Sequence, residues 1–385
     1  MIAAGGGIGA IGHQAARPVA RSGDALDAVD TPALIVDLDA LERNIATMAA
    51  AVAGSGVRLR PHAKSHKCPD IARRQIDAGA VGVCCQKVSE AEAFVAAGIR
   101  DVLVSNEIVG VPKLARLAAL ARDASVGVLV DDRANIAALG SAVRAAGASL
   151  EVLVEIDVGA RRCGVPPGAP AVTLARAIAA ERGLRFGGLH AYQGAAQHLR
   201  SPGERRAAIE HAAGFAASTK ASIEDAGIAC PTITGAGTGT FVLERDSGIY
   251  NELQPGSYVF MDADYGRNER SPEEPRFEQS LFVWTTVMST PAVDRVIVDA
   301  GLKAFAVDSG MPLVADAPGL EVIKASDEHG VVRVAPGSAA PALGAKLKLV
   351  PGHCDPTVNL YDWLIAVRGD RVEGLWPVAA RGALT

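Results

Sequence analysis

From Thr31 onward, short β-branched runs alternate with longer stretches whose apolar residues recur at helical spacing. The runs begin at Ala33 (ALIVD), Val57 (VRLRP), Val81 (VGVCC), Asp101 (DVLVS), Ser125 (SVGVLVDD), Glu151 (EVLVEIDV), Phe186 (FGGLHAY) and Thr232 (TITGAG), each bounded by polar or glycine-rich turns. Between them, stretches such as 39–53 place Leu41, Ile45, Met48 and Val52 on one face behind Asp39 and Glu42 at capping-box spacing; Ser89 and Glu92 repeat that box. Strands alternating with helices over about 210 residues predict an α/β fold of the (β/α)8 TIM-type barrel rather than an open doubly wound sheet. Chemistry in such a barrel belongs at the C-terminal ends of the strands, where the polar strings RPHAKSHK, CCQK, EIDVGARR, LHAYQG and TGAGTG fall.

After Asp264 the pattern changes. The charged, proline-bearing segment DYGRNERSPEEPRF leads into strands without intervening helices: QSLFVWTTVMS, DRVIVDAG, GVVRVAP, AKLKLVPGH, and a hairpin, DWLIAVRGDRVEGLWPV, turning at Gly369-Asp370. This predicts a second, antiparallel all-β C-terminal domain. The expected division is a flexible lead-in over 1–29 whose later residues join the β-domain, a barrel over 30–265 and a β-domain over 266–385. The lead-in carries GGGIGAIG, which has dinucleotide-fingerprint glycines but too few residues before them to form the strand that fingerprint needs.

Over 385 residues, 49% hydrophobic against 21% charged excludes a mini-protein and a disordered, charge-rich polymer. With 38 Lys+Arg against 43 Asp+Glu, the net charge of −5 gives no general affinity for nucleic acid or anionic membrane, so a small molecule is the expected partner. No apolar run approaches the roughly 18 residues of a membrane helix, and the start lacks the basic and Leu-rich parts of a secretion signal. Aromatics are only 4%, beside 41 Gly and 21 Pro, so the core must be built from Ala, Val, Leu and Ile with many tight turns. Cys68, Cys84, Cys85, Cys163, Cys230 and Cys354 form no CxxC pair, which argues against a zinc knuckle or disulfide framework and for a reducing, cytoplasmic setting.

The densest polar cluster is RPHAKSHK, 60–67. It reads either as a solvated basic turn or as a nucleophile site, because a partly desolvated lysine at a barrel mouth can form an imine. The turn TGAGTGT, 234–240, can converge backbone N–H groups on a phosphate, and ELQPGSY, 252–258, offers a second turn with hydroxyls beside it. Lysine and phosphate cradle together suggest pyridoxal 5′-phosphate. In His353-Cys354-Asp355, read as a strand, His353 and Asp355 share a face and could clasp a metal, although such a triplet also arises by accident.

Several of these strings, RPHAKSHK, EIDVG with RCGV, HAYQGAAQH, GAGTG, ELQPGSYVFMD, DAGLK, SDEHG and PGHCDPT, resemble in order the D-threonine aldolase and D-serine dehydratase group, from about Asp30 to the C-terminus. That group shares the fold of alanine racemase, a pyridoxal phosphate barrel with a β-domain. The resemblance implies that Lys64 carries the cofactor and that Arg162 approaches its phenolic oxygen. Tyr192 and Gln86 would line the ring, and Gly237, Thr238, Gly256, Ser257 and Tyr258 would hold the phosphate. It also implies a divalent metal on His353 and Asp355. Dehydratase members resemble His-x-Cys with zinc and aldolases His-x-Asp with manganese or magnesium; this chain has the second form, whose ligands suit Mn²⁺ or Mg²⁺.

The implied activity is retro-aldol cleavage of D-3-hydroxy-α-amino acids, D-threonine giving glycine and acetaldehyde. His66 or a water on the metal would be the base, and Asp327 would lie near metal or substrate. The alternatives are a D-serine or D-3-hydroxyaspartate dehydratase and, in another class, a non-catalytic pyridoxal phosphate-binding protein, against which the β-domain argues. A homodimer is also implied.

Overall fold

The computed structural model describes residues 18–385, so GGGIGAIG lies outside the described residues. Strand β1 (Ala33–Asp37) runs directly into helix α1 (Leu38–Val52). Eight strands follow in chain order: β2 (Arg58–Leu59), β3 (Val83–Cys85), β4 (Asp101–Glu107), β5 (Ser125–Val130), β6 (Leu150–Glu155), β7 (Leu184–His190), β8 (Thr232–Gly235) and β9 (Glu252–Leu253). They are interleaved with α2 (Pro69–Asp77), α3 (Val88–Ala96), α4 (Val111–Asp123), α5 (Arg133–Ala146), α6 (Ala169–Ala180), α7 (Pro202–Asp225) and α8 (Phe241–Asp246). Strands β2 to β9 pair in parallel in chain order. Val81 N donates to Leu59 O (2.9 Å) and Cys84 N to Pro61 O (2.8 Å), joining β3 to β2 and closing the (β/α)8 barrel.

Beyond α9 (Ala263–Gly266) comes the second domain: β10 (Leu281–Ala292), β11 (Arg295–Val298), β12 (Leu313–Val314), β13 (Leu320–Ala325), β14 (Gly330–Val334), β15 (Lys346–Val350), the one-turn helix α10 (Cys354–Val358), β16 (Trp363–Arg368) and β17 (Arg371–Pro377). Its sheet runs β13-β14-β11-β10-β1-β16-β17, with β15 also on β10 and β12 on β15. Residues before the barrel reach this sheet too: Leu26 N donates to Asp370 O (2.8 Å), and Leu26 and Val29 pack with Trp284 and Ile365.

Two expectations are corrected here. ALIVD is not a barrel strand: β1 lies inside the second sheet, antiparallel to β10 and parallel to β16, so that sheet is not wholly antiparallel. Leu34 and Val36 face the main core while Ala33 and Ile35 face a second cluster around Trp284, and a strand covered on both faces reads like a barrel strand. The eighth barrel strand is instead the two-residue β9. The caps also move. Asp37 caps α1 by accepting from Ala40 N (3.0 Å), leaving Asp39 and Glu42 to pair with Arg368 on β16. Glu90, not Glu92, accepts from the start of α3, taking Gln86 N (2.7 Å) and Lys87 N (3.2 Å).

The barrel interior is divided. Cys84, Leu103, Leu129 and Leu153 from β3 to β6 form a small apolar cluster. The other side is polar. Arg60, just past β2, donates to Asp101 Oδ1 (2.6 Å), and its Nε lies 3.1 Å from Glu252 Oε1 off the line of the N–H, a charge contact rather than a hydrogen bond. Thr234 Oγ1 donates to Glu252 Oε1 (3.2 Å) and accepts from Gln254 Nε2 (2.8 Å), and Gln254 Oε1 meets His190 Nε2 at 3.2 Å. The column thus climbs to the C-terminal mouth.

Glu252 is 3% exposed and its other cation, Arg58 at 3.2 Å, is half exposed, so Arg60→Ala removes the buried partner of a buried carboxylate. The expected loss of unfolding free energy is about 3–5 kcal/mol, seen as a lower urea midpoint at unchanged slope. Arg60→Met combined with Glu252→Gln recovers more than half of it. Equal losses in the single and double variants would show that charge pairing is not what Arg60 supplies.

Candidate active site

The strand ends open on a cavity of about 450 Å³ whose lining includes His62, Lys64, Gln86, Arg162, Tyr192, His198, Gly237, Thr238, Gly256, Ser257, His353 and Asp355. That volume suits a small cofactor with its substrate. Lys64 sits in the single turn Ala63–Ser65 that follows β2, its N–H directed at His62 Nδ1 (3.4 Å). Its Nζ comes within 3.9 Å of Asp355 Oδ2, so barrel and second domain meet across the cavity. His62 is buried, and its Nε2 touches Ser105 Oγ and Gln86 Nε2, each at 3.0 Å. Burial and then Lys64 push the His62 pKa well below the ordinary value, so it is neutral.

At one end the backbone forms a cradle. The N–H groups of Gly237, Thr238, Gly256 and Ser257 have no hydrogen-bond partner among the described residues. Ser65 Oγ is buried and equally unpartnered beside them. A Cβ on Gly256 would fall 2.7 Å from His62 O and Ser65 Oγ, and one on Gly237 2.5 Å from Gln197 Oε1, so side chains are excluded where the cradle is tightest. Convergent unpaired donors with an orphaned hydroxyl fit a phosphate. Tyr192, whose hydroxyl pKa burial raises, presents its ring to the cavity with the Arg162 guanidinium 5.6 Å from its centroid.

At the other end stand the groups suited to a metal. His353 Nδ1 contacts Asp308 Oδ2 at 2.7 Å, which leaves Nε2 as the free ring nitrogen. Burial lowers the His353 pKa, but Asp355 and then Asp308 outweigh it and the net shift is upward. His353 caps α10, so the triplet is a helix start and not the expected strand. Asp355 still faces the cavity because the helical turn, rather than strand alternation, directs it there. Buried Asp262 fixes that turn by accepting from Cys354 N (3.0 Å) and Tyr265 N (2.9 Å). One imidazole and one carboxylate with open positions around them fit a divalent cation.

Beside these, His198 Nδ1 lies 2.6 Å from Asp264 Oδ2. Burial raises the Asp264 pKa, but bonds from Arg200, Arg267 and His198 prevail and hold it at about 2. That contact turns Nδ1 of His198 to Asp264 and leaves Nε2 as the ring nitrogen directed away from it.

Three expected site residues lie elsewhere. His66 is fully buried, edge-on to Phe94 with ring centroids 6.1 Å apart, and its Nδ1 accepts from Cys68 N (3.1 Å), while burial lowers its pKa to about 4. It is His62 that lines the cavity. The Tyr258 ring packs against Phe277, and its hydroxyl accepts from Gln75 Nε2 (3.0 Å); only its backbone N–H reaches the cradle, donating to Thr238 Oγ1 (3.0 Å). Asp327 occupies the turn between β13 and β14 and is absent from the cavity lining. His198 stood at the end of HAYQGAAQH, but its partner Asp264, like Asp262 and Asp308, lies too far along the chain for any local motif to flag.

The sequence profile of the alanine racemase N-terminal domain matches residues 36–264, and that of a serine dehydratase domain matches 280–367. The chain is 52% identical to the D-threonine aldolase of an Arthrobacter species over 95% of its own length and 96% of that protein's. It is 48% identical to the 3-hydroxy-D-aspartate aldolase of Paracoccus denitrificans strain Pd 1222, covering 92% of each. The crystal structure of the D-threonine aldolase from Filomicrobium marinum superposes with a TM-score of 0.94 at 54% identity, covering 95% of this chain and all of that one. Barrel and second sheet are therefore those of a known lineage, and the chain belongs to the family of D-threonine aldolases and 3-hydroxy-D-aspartate aldolases within the alanine racemase fold.

Proposed function

We propose that the chain cleaves D-3-hydroxy-α-amino acids by a retro-aldol reaction dependent on pyridoxal 5′-phosphate and a divalent metal, D-threonine giving glycine and acetaldehyde. The observation that carries this reading is the 3.9 Å approach of Lys64 Nζ to Asp355 Oδ2, which sets a candidate cofactor lysine and a candidate metal carboxylate on one cavity. The aldolase relatives support it. Lys64 would bind the cofactor's carbonyl carbon, the cradle of Gly237, Thr238, Gly256 and Ser257 with Ser65 its phosphate, and His353 and Asp355 the metal, Mn²⁺ or Mg²⁺. When bound, the ring takes up the electron pair released as Cα–Cβ breaks, and the metal acts as a Lewis acid toward the β-hydroxyl.

The remaining roles belong to the chain's own groups. His198 Nε2 accepts the β-hydroxyl proton, with Nδ1–H held by Asp264 so that the ring keeps its tautomer and stabilises the imidazolium that forms. Arg162, which lines the cavity, would supply positive charge to the anionic oxygen of the bound cofactor. Tyr192 and His62, which line the cavity, would flank that ring. His66, being sealed in the core, takes no part.

Given D-threonine and Mn²⁺, the protein is expected to release glycine and acetaldehyde in equal amounts, to lose activity on chelation and to regain it with Mn²⁺. Formation of 2-oxobutanoate and ammonia without glycine would establish a dehydratase instead.

His198→Ala is expected to lower kcat by about 10²- to 10⁴-fold while cofactor absorbance is retained. An unchanged kcat would remove His198 as the base.

Asp308→Asn should weaken Mn²⁺ binding by about 10- to 100-fold, measured calorimetrically on the folded protein, because the carboxylate that orients His353 is lost. A binding constant equal to wild type would mean that the 2.7 Å contact is incidental.

A further inference from the structure

Behind Arg162, away from the groups suited to a metal, the ends of β4 and β6 and the loops after β5 and β6 gather Glu107, Glu155, Asp131 and Cys163. Donor atoms of Glu107, Asp131 and Cys163 lie within 4.8 Å of one another. Glu155 is 4% exposed, with Oε1 3.6 Å from Arg162 Nη2 and Oε2 3.7 Å from His190 Nδ1, too far for a hydrogen bond. Asp131 Oδ2 accepts from Gly164 N (3.0 Å), in the loop that carries Arg162. The Glu107 and Glu155 carboxyl groups sit close enough to raise one another's charge cost, and two such buried carboxyls resist ionising together.

The surroundings decide which. Burial raises both groups; for Glu155 the neighbouring Arg162 opposes part of that rise, whereas Glu107 also faces the Glu155 charge and reaches about 7. Burial and Glu107 lift Cys163 to about 11, and burial lowers His190 to about 4, so both are neutral near pH 7. The Arg162 side chain is nearly half exposed, and a guanidinium on a flexible stem needs an opposing charge to stay in one rotamer.

We propose that Glu155, a buried carboxylate 3.6 Å from the Arg162 guanidinium, is the positioning residue that aims Arg162 into the cofactor cavity. The role rests on the pyridoxal phosphate reading above. It makes Arg162's placement sensitive to the charge state of the pair, since loss of the Glu107 proton sets two carboxylates against each other and loosens the bridge.

The test is a pH titration of the visible absorbance of the cofactor-loaded protein, with thermal melting as the check on folding. Wild type is expected to show an inflection near pH 7, from the Glu107 proton. Glu107→Gln keeps a neutral side chain beside Glu155, so the inflection disappears while the spectrum at pH 6 stays that of wild type. Glu155→Gln leaves Arg162 unopposed, and the main titration midpoint falls by about one unit, because an extra positive charge disfavours further protonation of the bound cofactor. Glu155→Asp, which restores the charge, returns the midpoint most of the way and serves if Glu155→Gln fails to fold. Wild-type titration in all folded variants overturns the proposal alone. A wild-type protein that takes up no cofactor overturns the functional reading, and this one with it.

Discussion

A charge taken inside the barrel must find its counter-charge there, since each unpaired ion would cost several kcal/mol. This chain pairs acids and bases along one side of the barrel and leaves the other side to Cys84, Leu103, Leu129 and Leu153. From the bottom, Arg60 meets Asp101 and Glu252; Thr234, Gln254 and His190 carry the contacts upward; Glu155 and Arg162 finish at the cavity. Most of the column lies on β2 and on β7 to β9, the strands whose ends carry Lys64, Tyr192 and both cradle turns, while Asp101 on β4 and Glu155 on β6 complete it. The stabilising network and the site thus share a support, and a rigid column is what keeps the reacting groups in register.

The second constraint is registry between the two domains. Lys64 belongs to the barrel and Asp355 to α10, so their spacing depends on contacts that span the join. Asp262 bonds the start of α10, while Lys67 pairs with buried Glu90 (3.2 Å) and donates to Asn359 (2.9 Å). Ala380 N adds a bond to Lys67 O (3.1 Å). The same Glu90 accepts from Gln86 N, so one buried carboxylate ties the Lys64 loop, a cavity-lining residue and α10 together.

Where local pattern determines structure, the sequence was readable. The alternation of helices with strands around the barrel, seven of the eight barrel strands and the hairpin over 363–377 follow from periodicity and turn residues. It misled where two environments impose one pattern: ALIVD is apolar throughout because both faces are covered, which a parallel barrel strand and a central strand of the second sheet demand alike. Two-residue β9 is too short to carry a period. Within RPHAKSHK the two histidines are equivalent on paper, and only the turn after β2 sends His62 to the cavity and His66 to the core. The partners Asp264, Asp262 and Asp308 are joined to their histidine or helix across the fold, which composition and spacing do not encode.

The turn at 353–355 bears on which metal chemistry the site can host. Because the triplet opens a helix, the two side chains meet different surroundings: Cys354 is fully buried and Asp355 lines the cavity. Burial drives the Cys354 thiol well above its ordinary pKa, and neighbouring Asp262 and Asp355 push the same way, so the sulfur keeps its proton. It donates that proton to Asp355 Oδ1 (3.3 Å), acting as a hydrogen-bond donor rather than a ligand. Only the thiolate binds metal well. Cys354 is buried away from the cavity lining and so offers no soft ligand beside His353 and Asp355, although it stands one residue from His353. What remains is an imidazole and a carboxylate, a donor pair suited to a harder cation with exchangeable positions. The step from residue 354 to 355, taken on a helix, thereby separates an inert sulfur from the oxygen that faces the substrate cavity.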